Sequence, residues 1–360
     1  MKKRVLSFLT AAVMTTAMIL TGCSGSQTAA TTAAPASAET KAETTEAAKT
    51  EAATTTAAPA EKKEIVVGFS QVGAESDWRT ANTESMKSTF TEANGYKLIF
   101  DDAQQKQENQ LKAVRNFIQQ DVDYIVIAPV TETGWDTVLQ EAKDAGIPVI
   151  IVDRMINVSD DSLYTAWVGS NFLQEGYDAV AWLDEYLKKN NRADEDINIV
   201  TLQGTIGSSA QIGRTNGVEE KMKDHPKWKM LERQTGEFTQ AKGQEVMESF
   251  LKTYDDIDVV IAENDNMAFG AIDAIKAAGK TCGPKGDITV ISFDAVAAAF
   301  DAMIAGDMNV SVECNPLHGP RVAEIIQKLE KGEKVDKIAY VKEGVFPADT
   351  AEAEKPKRQY

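Results

Sequence analysis

The sequence predicts an α/β protein built from two doubly wound parallel-sheet lobes. Three observations lead there. The chain has 360 residues, which suits about two domains; short β-branched runs alternate with amphipathic stretches; and that alternation restarts after Trp167. The first run, Ile65-Val66-Val67-Gly68-Phe69, precedes polar residues and a predicted helix from Trp78 to Ala93, closed by Asn94-Gly95. Lys97-Leu98-Ile99-Phe100 leads into a predicted helix from Asn109 to Gln120. Tyr124-Ile125-Val126-Ile127 leads into one ended by Gly146, and Pro148 to Val152 follows. Uninterrupted apolar runs of this length are what parallel strands covered on both faces require. The second half offers a long helix from Asn171 to Lys188 and strands at Ile197 to Leu202, Lys229 to Glu232, Val259 to Ala262 and Thr289 to Phe293. No short-period repeat is present, which argues against a solenoid.

Composition excludes several classes. Hydrophobic residues make up 43% of the chain, enough for a substantial core. Acidic residues outnumber basic ones by 55 to 38, a net charge of −17, so the surface repels nucleic acid. With three Cys and two His in all, there is no tetrahedral zinc site or disulfide framework to build, and no cofactor or metal is implied.

The first 22 residues read as a lipoprotein signal peptide. Met1-Lys2-Lys3-Arg4 is basic, and Val5 to Leu20 is apolar but short and broken by threonines. Leu20-Thr21-Gly22-Cys23 resembles the bacterial lipobox, which makes Cys23 the lipid-attachment residue. Acyl chains bury at about 0.8 kcal/mol per CH₂, so several of them hold a protein at the outer face of the cell membrane, the expected location. Residues 23–63, rich in Ala, Thr, Glu and Lys, carry nothing bulky enough to offset ordering entropy and read as a disordered tether. Their charges nearly cancel, so the acidity belongs to the folded part.

In open parallel sheets ligands sit beyond the carboxyl ends of the strands, so the residues that follow each strand are the candidates. After the first come Ser70, Gln71, Glu75, Ser76, Asp77, Trp78 and Arg79; after the fourth, Asp153-Arg154; after Ile261 to Glu263, Asn264-Asp265; after Phe293, Asp294. Carboxylates and amides can accept from vicinal hydroxyls, Arg donates a fork of N–H groups, and an aromatic face covers the apolar side of a sugar ring. Taken singly, each Asp, Asn or Ser could simply cap the next helix; a cap has no use for the Arg beside Asp153.

Catalytic templates fail. Gly204-Thr205-Ile206-Gly207-Ser208-Ser209 lacks the Lys-Ser/Thr ending of a phosphate loop and does not match the nucleophile elbow. His225 and His318 have no nucleophile motif beside them, so the chain reads as a non-enzyme. Cys282 precedes a predicted strand and Cys314 follows another, which puts the thiols at opposite ends of a parallel sheet and favours two unpaired cysteines.

Longer motifs carry a resemblance. Val67 to Gly73 through Trp78-Arg79, Gln104 to Gln110, Ala128-Pro129-Val130, Thr133-Gly134-Trp135, Val152-Asp153-Arg154, Leu202 to Thr205, Val246 to Phe250 and Asn264 to Met267 resemble the galactofuranose-binding proteins of bacterial sugar ABC transporters. The resemblance runs from Ile65 to the C-terminus. It implies the type I periplasmic-binding-protein fold, two lobes joined by a three-segment hinge: 64–169 with 314–340, and 170–313 with 341–360. It further implies that Trp78 and Arg79 cover one side of a monosaccharide while Asp153 and Arg154 bind its hydroxyls, these last two paired with each other or bonded to the ligand. Arg214, Phe238, Asn264 and Asp294 would come from the second lobe, with Glu313 as an acceptor near the hinge. Where relatives carry Leu-Thr-Pro this chain has Cys314-Asn315-Pro316, so the sugar's identity stays open. The implied partners are a monosaccharide and an ABC permease with its ATPase, with a monomeric receptor that binds no nucleic acid. The alternative is a sugar sensor that presents its closed form to a histidine kinase or chemoreceptor. A repressor of the same fold is disfavoured because the chain opens on an export signal.

Overall fold

The computed structural model describes residues 64–360; the signal peptide, Cys23 and the tether to residue 63 lie outside them. Strands β1 (Ile65–Gln71), β2 (Tyr96–Asp102), β3 (Tyr124–Ile127), β4 (Val149–Val152), β5 (Ala166–Gly169) and β11 (Ile338–Tyr340) form one all-parallel sheet in the order β11-β5-β4-β3-β1-β2. Strands β6 (Ile197–Gln203), β7 (Trp228–Thr235), β8 (Val259–Ala262), β9 (Thr289–Asp294), β10 (Val310–Glu313) and β12 (Val345–Pro347) form the second in the order β12-β10-β9-β8-β6-β7, with β12 antiparallel to β10. The chain therefore passes between the sheets three times: after β5, after β10 and after β11. This is the expected fold class, two doubly wound lobes on a three-segment hinge.

Strand periodicity builds the core. Along β3, Tyr124 and Val126 point into one apolar layer while Ile125 and Ile127 point into the other. Along β8, Val259 and Ile261 oppose Val260 and Ala262 in the same way. Each sheet is thus covered on both faces by helices, as a parallel sheet must be. Among the helices that position the site are α1 (Asp77–Thr89), α2 (Gln107–Gln119), α4 (Phe172–Lys189), α5 (Ser209–Met222) and α7 (Asp265–Ala277), with α3 (Asp136–Asp144) between β3 and β4. Both sheets reverse direction of build at their first strand, β1 or β6, which opens a crevice at the strands' carboxyl ends.

The first helix is shorter than the expected Trp78–Ala93. Thr89 bonds its hydroxyl back to Ser85, and Phe90 leaves the helix with its ring buried edge-on against Tyr96, centroids 5.0 Å apart. Asn94-Gly95 closes a separate 3₁₀ turn, with Gly95 at φ 85°. Trp135 and Trp167 are fully buried core residues. Cys282 and Cys314 are free thiols, one before β9 and one after β10, as their placement in the sequence suggested. No helix among the described residues is long and apolar enough to cross a membrane.

Gly68 shows why the first lobe tolerates little change. A Cβ there would stand 2.5 Å from the Phe117 ring, which lies directly on the strand. Phe117→Ala removes that buried ring and is expected to destabilise the protein by about 3–5 kcal/mol, measured by urea unfolding.

Candidate functional site

The crevices of the two lobes face each other across a shared cavity. Trp78, Arg79, Asp153, Arg154, Arg214, Phe238, Asn264 and Asp294 line it together with Glu75, Ser76, Phe172, Ala210 and Cys314. The lobes are shut around it. Asp77 N–H donates to Asn266 Oδ1 at 3.0 Å, Met155 N–H to Ser209 Oγ at 2.7 Å, and Glu132 N–H to Gly207 O at 3.0 Å.

Three guanidinium groups and three carboxyls face this space, all nearly inaccessible to solvent. In the first lobe Ser76 caps α1 through Arg79 N–H, which fixes Trp78 and Arg79 at the helix start. Arg79 is the hub. Its Nη2 donates to Asp153 Oδ2 at 2.7 Å, its Nε to Glu75 Oε1 at 3.0 Å, and its Nη1 to Gln71 Oε1 at 3.2 Å. Gln71 Nε2 in turn donates to Asn82 Oδ1 at 2.8 Å, and Asn82 Nδ2 reaches His318 Nδ1 at 2.9 Å. Burial holds His318 down to about 4, so its Nδ1 is free to accept that bond.

Asp153 and Arg154 are not paired with each other, which leaves bonding to the ligand as the expected alternative. Asp153 sits at φ 62°, in the left-handed region, which turns its carboxylate toward Arg79 while Arg154 turns to Val130 O at 3.1 Å and Glu75 at 3.7 Å. Gly169 has to be bare beside that turn, because a Cβ there would come within 2.3 Å of Asp153 O. Burial opposes the charge on Asp153, but Arg79 and Arg154 outweigh it and keep this carboxyl below the usual range. Burial and the nearby Arg79 bring Arg154 down to about 10. Its guanidinium lies over the Phe238 ring, 5.1 Å from the centroid.

The second lobe repeats the arrangement. Arg214, on α5, donates from Nε to Glu175 Oε2 at 2.6 Å, from Nη1 to Glu263 O at 2.5 Å and from Nη2 to Asp294 Oδ1 at 3.3 Å. Asp294 also has a positive φ, 108°, followed by Ala295 at 58°. That loop is pinned by Ala295 N–H on Ser311 Oγ and Val296 N–H on Asp265 Oδ2, both at 2.9 Å. Burial drives Asp294 well above the usual carboxylate range, because Arg214 is shared with Glu175 while Asp265 adds repulsion. Asn264 both caps α7, accepting from Met267 N–H at 2.9 Å, and donates to Phe238 O at 3.0 Å. The Phe238 ring rests on Gly204, where a Cβ would stand 1.9 Å from it, so the glycine turn makes room for an aromatic wall. Trp78 supplies the opposite wall, its indole N–H donating to Cys314 O at 2.6 Å.

Glu313 is not part of this cavity. Its Oε1 accepts from Arg358 at 2.5 Å and Tyr360 at 2.9 Å, so the C-terminal segment occupies the carboxylate that the sequence suggested for the ligand. Glu75, one of the candidates after β1, joins the cavity; Phe172 and Glu175, which nothing in the periodicity of α4 sets apart, were not among the candidates. The one group of ligand-type side chains close enough to consider for a metal is Glu175, Cys314 and Glu343 among the described residues. Arg214 already holds Glu175, which disfavours a second cation there.

Two doubly wound lobes closed on a polar, charge-balanced cavity define a two-lobed binding protein of the type I fold. The chain belongs to the periplasmic binding protein family, whose domain model matches residues 67–334. It is 44% identical over 299 residues to the galactofuranose-binding protein YtfQ of Escherichia coli, covering 82% of this chain and 92% of that one. A Mycobacterium smegmatis structure in complex with β-D-fucofuranose superposes with a TM-score of 0.78 at 44% identity, covering 82% of this chain and 95% of the other. The binding component of the arabinose ABC transporter from Shewanella sp. ANA-3, bound to L-arabinofuranose, gives 0.76 at 47% identity with the same coverage. The chain is a binding protein and not an enzyme, of a family that works outside the cytoplasm.

Arg79 is the only cation bonded to both Asp153 and Glu75 among the described residues. Replacing it with Met takes the hydrogen-bonded cation from two buried carboxylates and leaves them only Arg154, and the ligand-saturated protein is expected to lose about 3–5 kcal/mol in unfolding free energy. Adding Asp153→Asn should recover part of that loss.

Proposed function

We propose that this protein captures a monosaccharide in its furanose form between the two lobes and, once closed, delivers it to an ABC permease. The observation that carries the reading is the cavity lining: paired charges, one amide and two aromatic walls, with no nucleophile arrangement among them. Carboxyls accept from sugar hydroxyls, guanidinium groups donate to ring and hydroxyl oxygens, and the Trp78 and Phe238 faces cover apolar C–H edges. The furanose form is supported by the three relatives above, each of which is named for, or bound to, a five-membered-ring sugar. The arabinose transporter component among them favours transport over the sensor reading.

In this reading Trp78, Arg79, Asp153 and Arg154 contact the sugar from the lobe formed by 64–169 and 314–340. Arg214, Phe238, Asn264 and Asp294 contact it from the lobe formed by 170–313 and 341–360. The lobes open and close about the three crossings. Cys23 carries the lipid that keeps the receptor at the outer face of the membrane, and the receptor acts as a monomer.

A thermal-shift screen with galactose in furanose and pyranose forms, arabinose, ribose, xylose, fructose and glucose tests the ligand class. At a hundredfold excess over Kd a bound sugar adds about 2.7 kcal/mol, seen as a raised Tm, and the sugar should be recovered unaltered. Silence across the panel would overturn the sugar reading. For the best ligand, Asp294→Ala and Arg154→Ala should each weaken binding by at least about 1.5–3 kcal/mol by calorimetry. Affinity close to wild type in both variants would show that these side chains do not touch it.

A further inference from the structure

The three chain crossings meet at one side chain. Glu343, between β11 and β12, accepts at Oε1 from Ser170 Oγ on the first crossing and from Asn315 N–H on the second, both at 2.6 Å. On its other side, oxygens of Glu343 and Glu175 and the Cys314 sulfur all lie within 4.8 Å of one another. Glu175 is buried, and its Oε1 has no hydrogen-bond partner. We propose that Glu343 is the positioning residue of closure, and that it acts as the neutral carboxylic acid, a proton being taken up there when the lobes shut. The inference rests on the closing-cleft reading above.

The surrounding charges point the same way. Arg214 is the guanidinium on this side of the hinge, and Glu175 and Asp294 already share it. Arg358 is held by Glu313. Cys314, its thiol raised well above the ordinary value by burial and by Glu175, adds no positive charge. An ionised Glu343 would therefore face ionisable Glu175 and Glu313 with no cation of its own in low-dielectric surroundings. The two donors on Oε1 favour the ionised carboxylate and so work against the acid, but burial and Glu175 outweigh them, and the other oxygen is left to carry the proton. Burial and then Glu175 push Glu343 up to about 8, and burial pushes Glu175 up to about 6.

The sign follows from linkage. Opening the lobes returns water to the hinge and brings Glu343 back toward an ordinary carboxylate value. Between that value and about 8 the closed form holds one more proton than the open form. Closure is then strongest in acid, weakens as pH rises toward about 8 and levels off above. Asp294, Glu263 and Asp265 titrate too, but they are common to wild type and a Glu343→Gln variant, so the ratio of the two affinities reports Glu343 together with the Glu175 it faces. Glu343→Gln keeps the acceptor oxygen and removes the charge without touching the cavity lining.

The test is Kd for the best sugar of the panel in both proteins from pH 5.5 to 8.5. Wild type should already trail the variant at pH 5.5, and the gap should widen at least tenfold further by pH 8.5, by no more than tenfold per pH unit. A constant ratio would overturn the proposal. If Glu343→Gln fails to fold, the ¹³C shift of the Glu343 carboxyl in sugar-saturated wild type decides. An acid shift at pH 7 supports the role and a carboxylate shift at pH 7 overturns it. Absence of sugar binding counts against the function; a flat ratio with good binding counts against Glu343 alone.

Discussion

Charge balance inside a closed cleft is the constraint on which the rest of this structure depends. Burying an isolated carboxylate or guanidinium is prohibitive, so a cavity lined with ionic groups can shut only if each group meets its counter-ion. Three guanidinium groups and three carboxyls face the space, and Glu175 stands behind Arg214. Meeting that requirement takes backbone conformations that side chains with a Cβ rarely adopt. Asp153, Phe238 and Asp294 all have positive φ, and each is over-determined by its surroundings: Gly169 and Trp167 around Asp153, Gly204 and Asn264 around Phe238, Ser311 and Asp265 around the loop after Asp294.

The two lobes meet the constraint with the same construction. Their sheets share one strand order, β2-β1-β3-β4-β5 against β7-β6-β8-β9-β10. The arginine hub comes in each case from the helix after the first strand, Arg79 on α1 and Arg214 on α5. Its aspartate stands at the carboxyl end of the fourth strand in each case, Asp153 just after β4 and Asp294 as the last residue of β9. The balance differs. Asp153 has Arg79 and Arg154 acting on it and stays ionised, whereas Asp294 shares one guanidinium with Glu175 and rises. The cavity is symmetric in its scaffold and asymmetric in its electrostatics, which lets one face accept and the other either accept or donate.

What was legible in the sequence follows from how each part is held. Strands such as Tyr124–Ile127 and Val259–Ala262 are buried on both faces, so their apolar runs announce them. Strands β11 and β12 have only three residues each and take their place from neighbours already in the sheet, so no local pattern marks them. Asp153, Asn264 and Asp294 were legible because strand ends supply ligands in this architecture. The pairing of Asp153 with Arg79 was not, since it depends on one left-handed residue. Glu313 was suggested by the resemblance as an acceptor near the hinge, and only the fold brings Arg358 and Tyr360 against it from the far end of the chain. Glu175 lies on the buried side of an ordinary amphipathic helix, and its charge becomes informative only once Arg214 is opposite.

Cavity and hinge are one electrostatic system. Trp78 walls the cavity from the first lobe yet bonds to Cys314 O on the second crossing. Arg214 faces the cavity through Asp294 and the hinge through Glu175. A hydroxyl that donates to Asp294 stabilises the ionised carboxylate, and Arg214 must then answer a full charge on that side as well as on Glu175. Three of its five N–H donors are committed, to Glu175, Glu263 O and Asp294. Occupancy of the cavity is thus felt by the carboxyls behind it without any chain of moving parts, through competition for one cation in surroundings too dry to screen it.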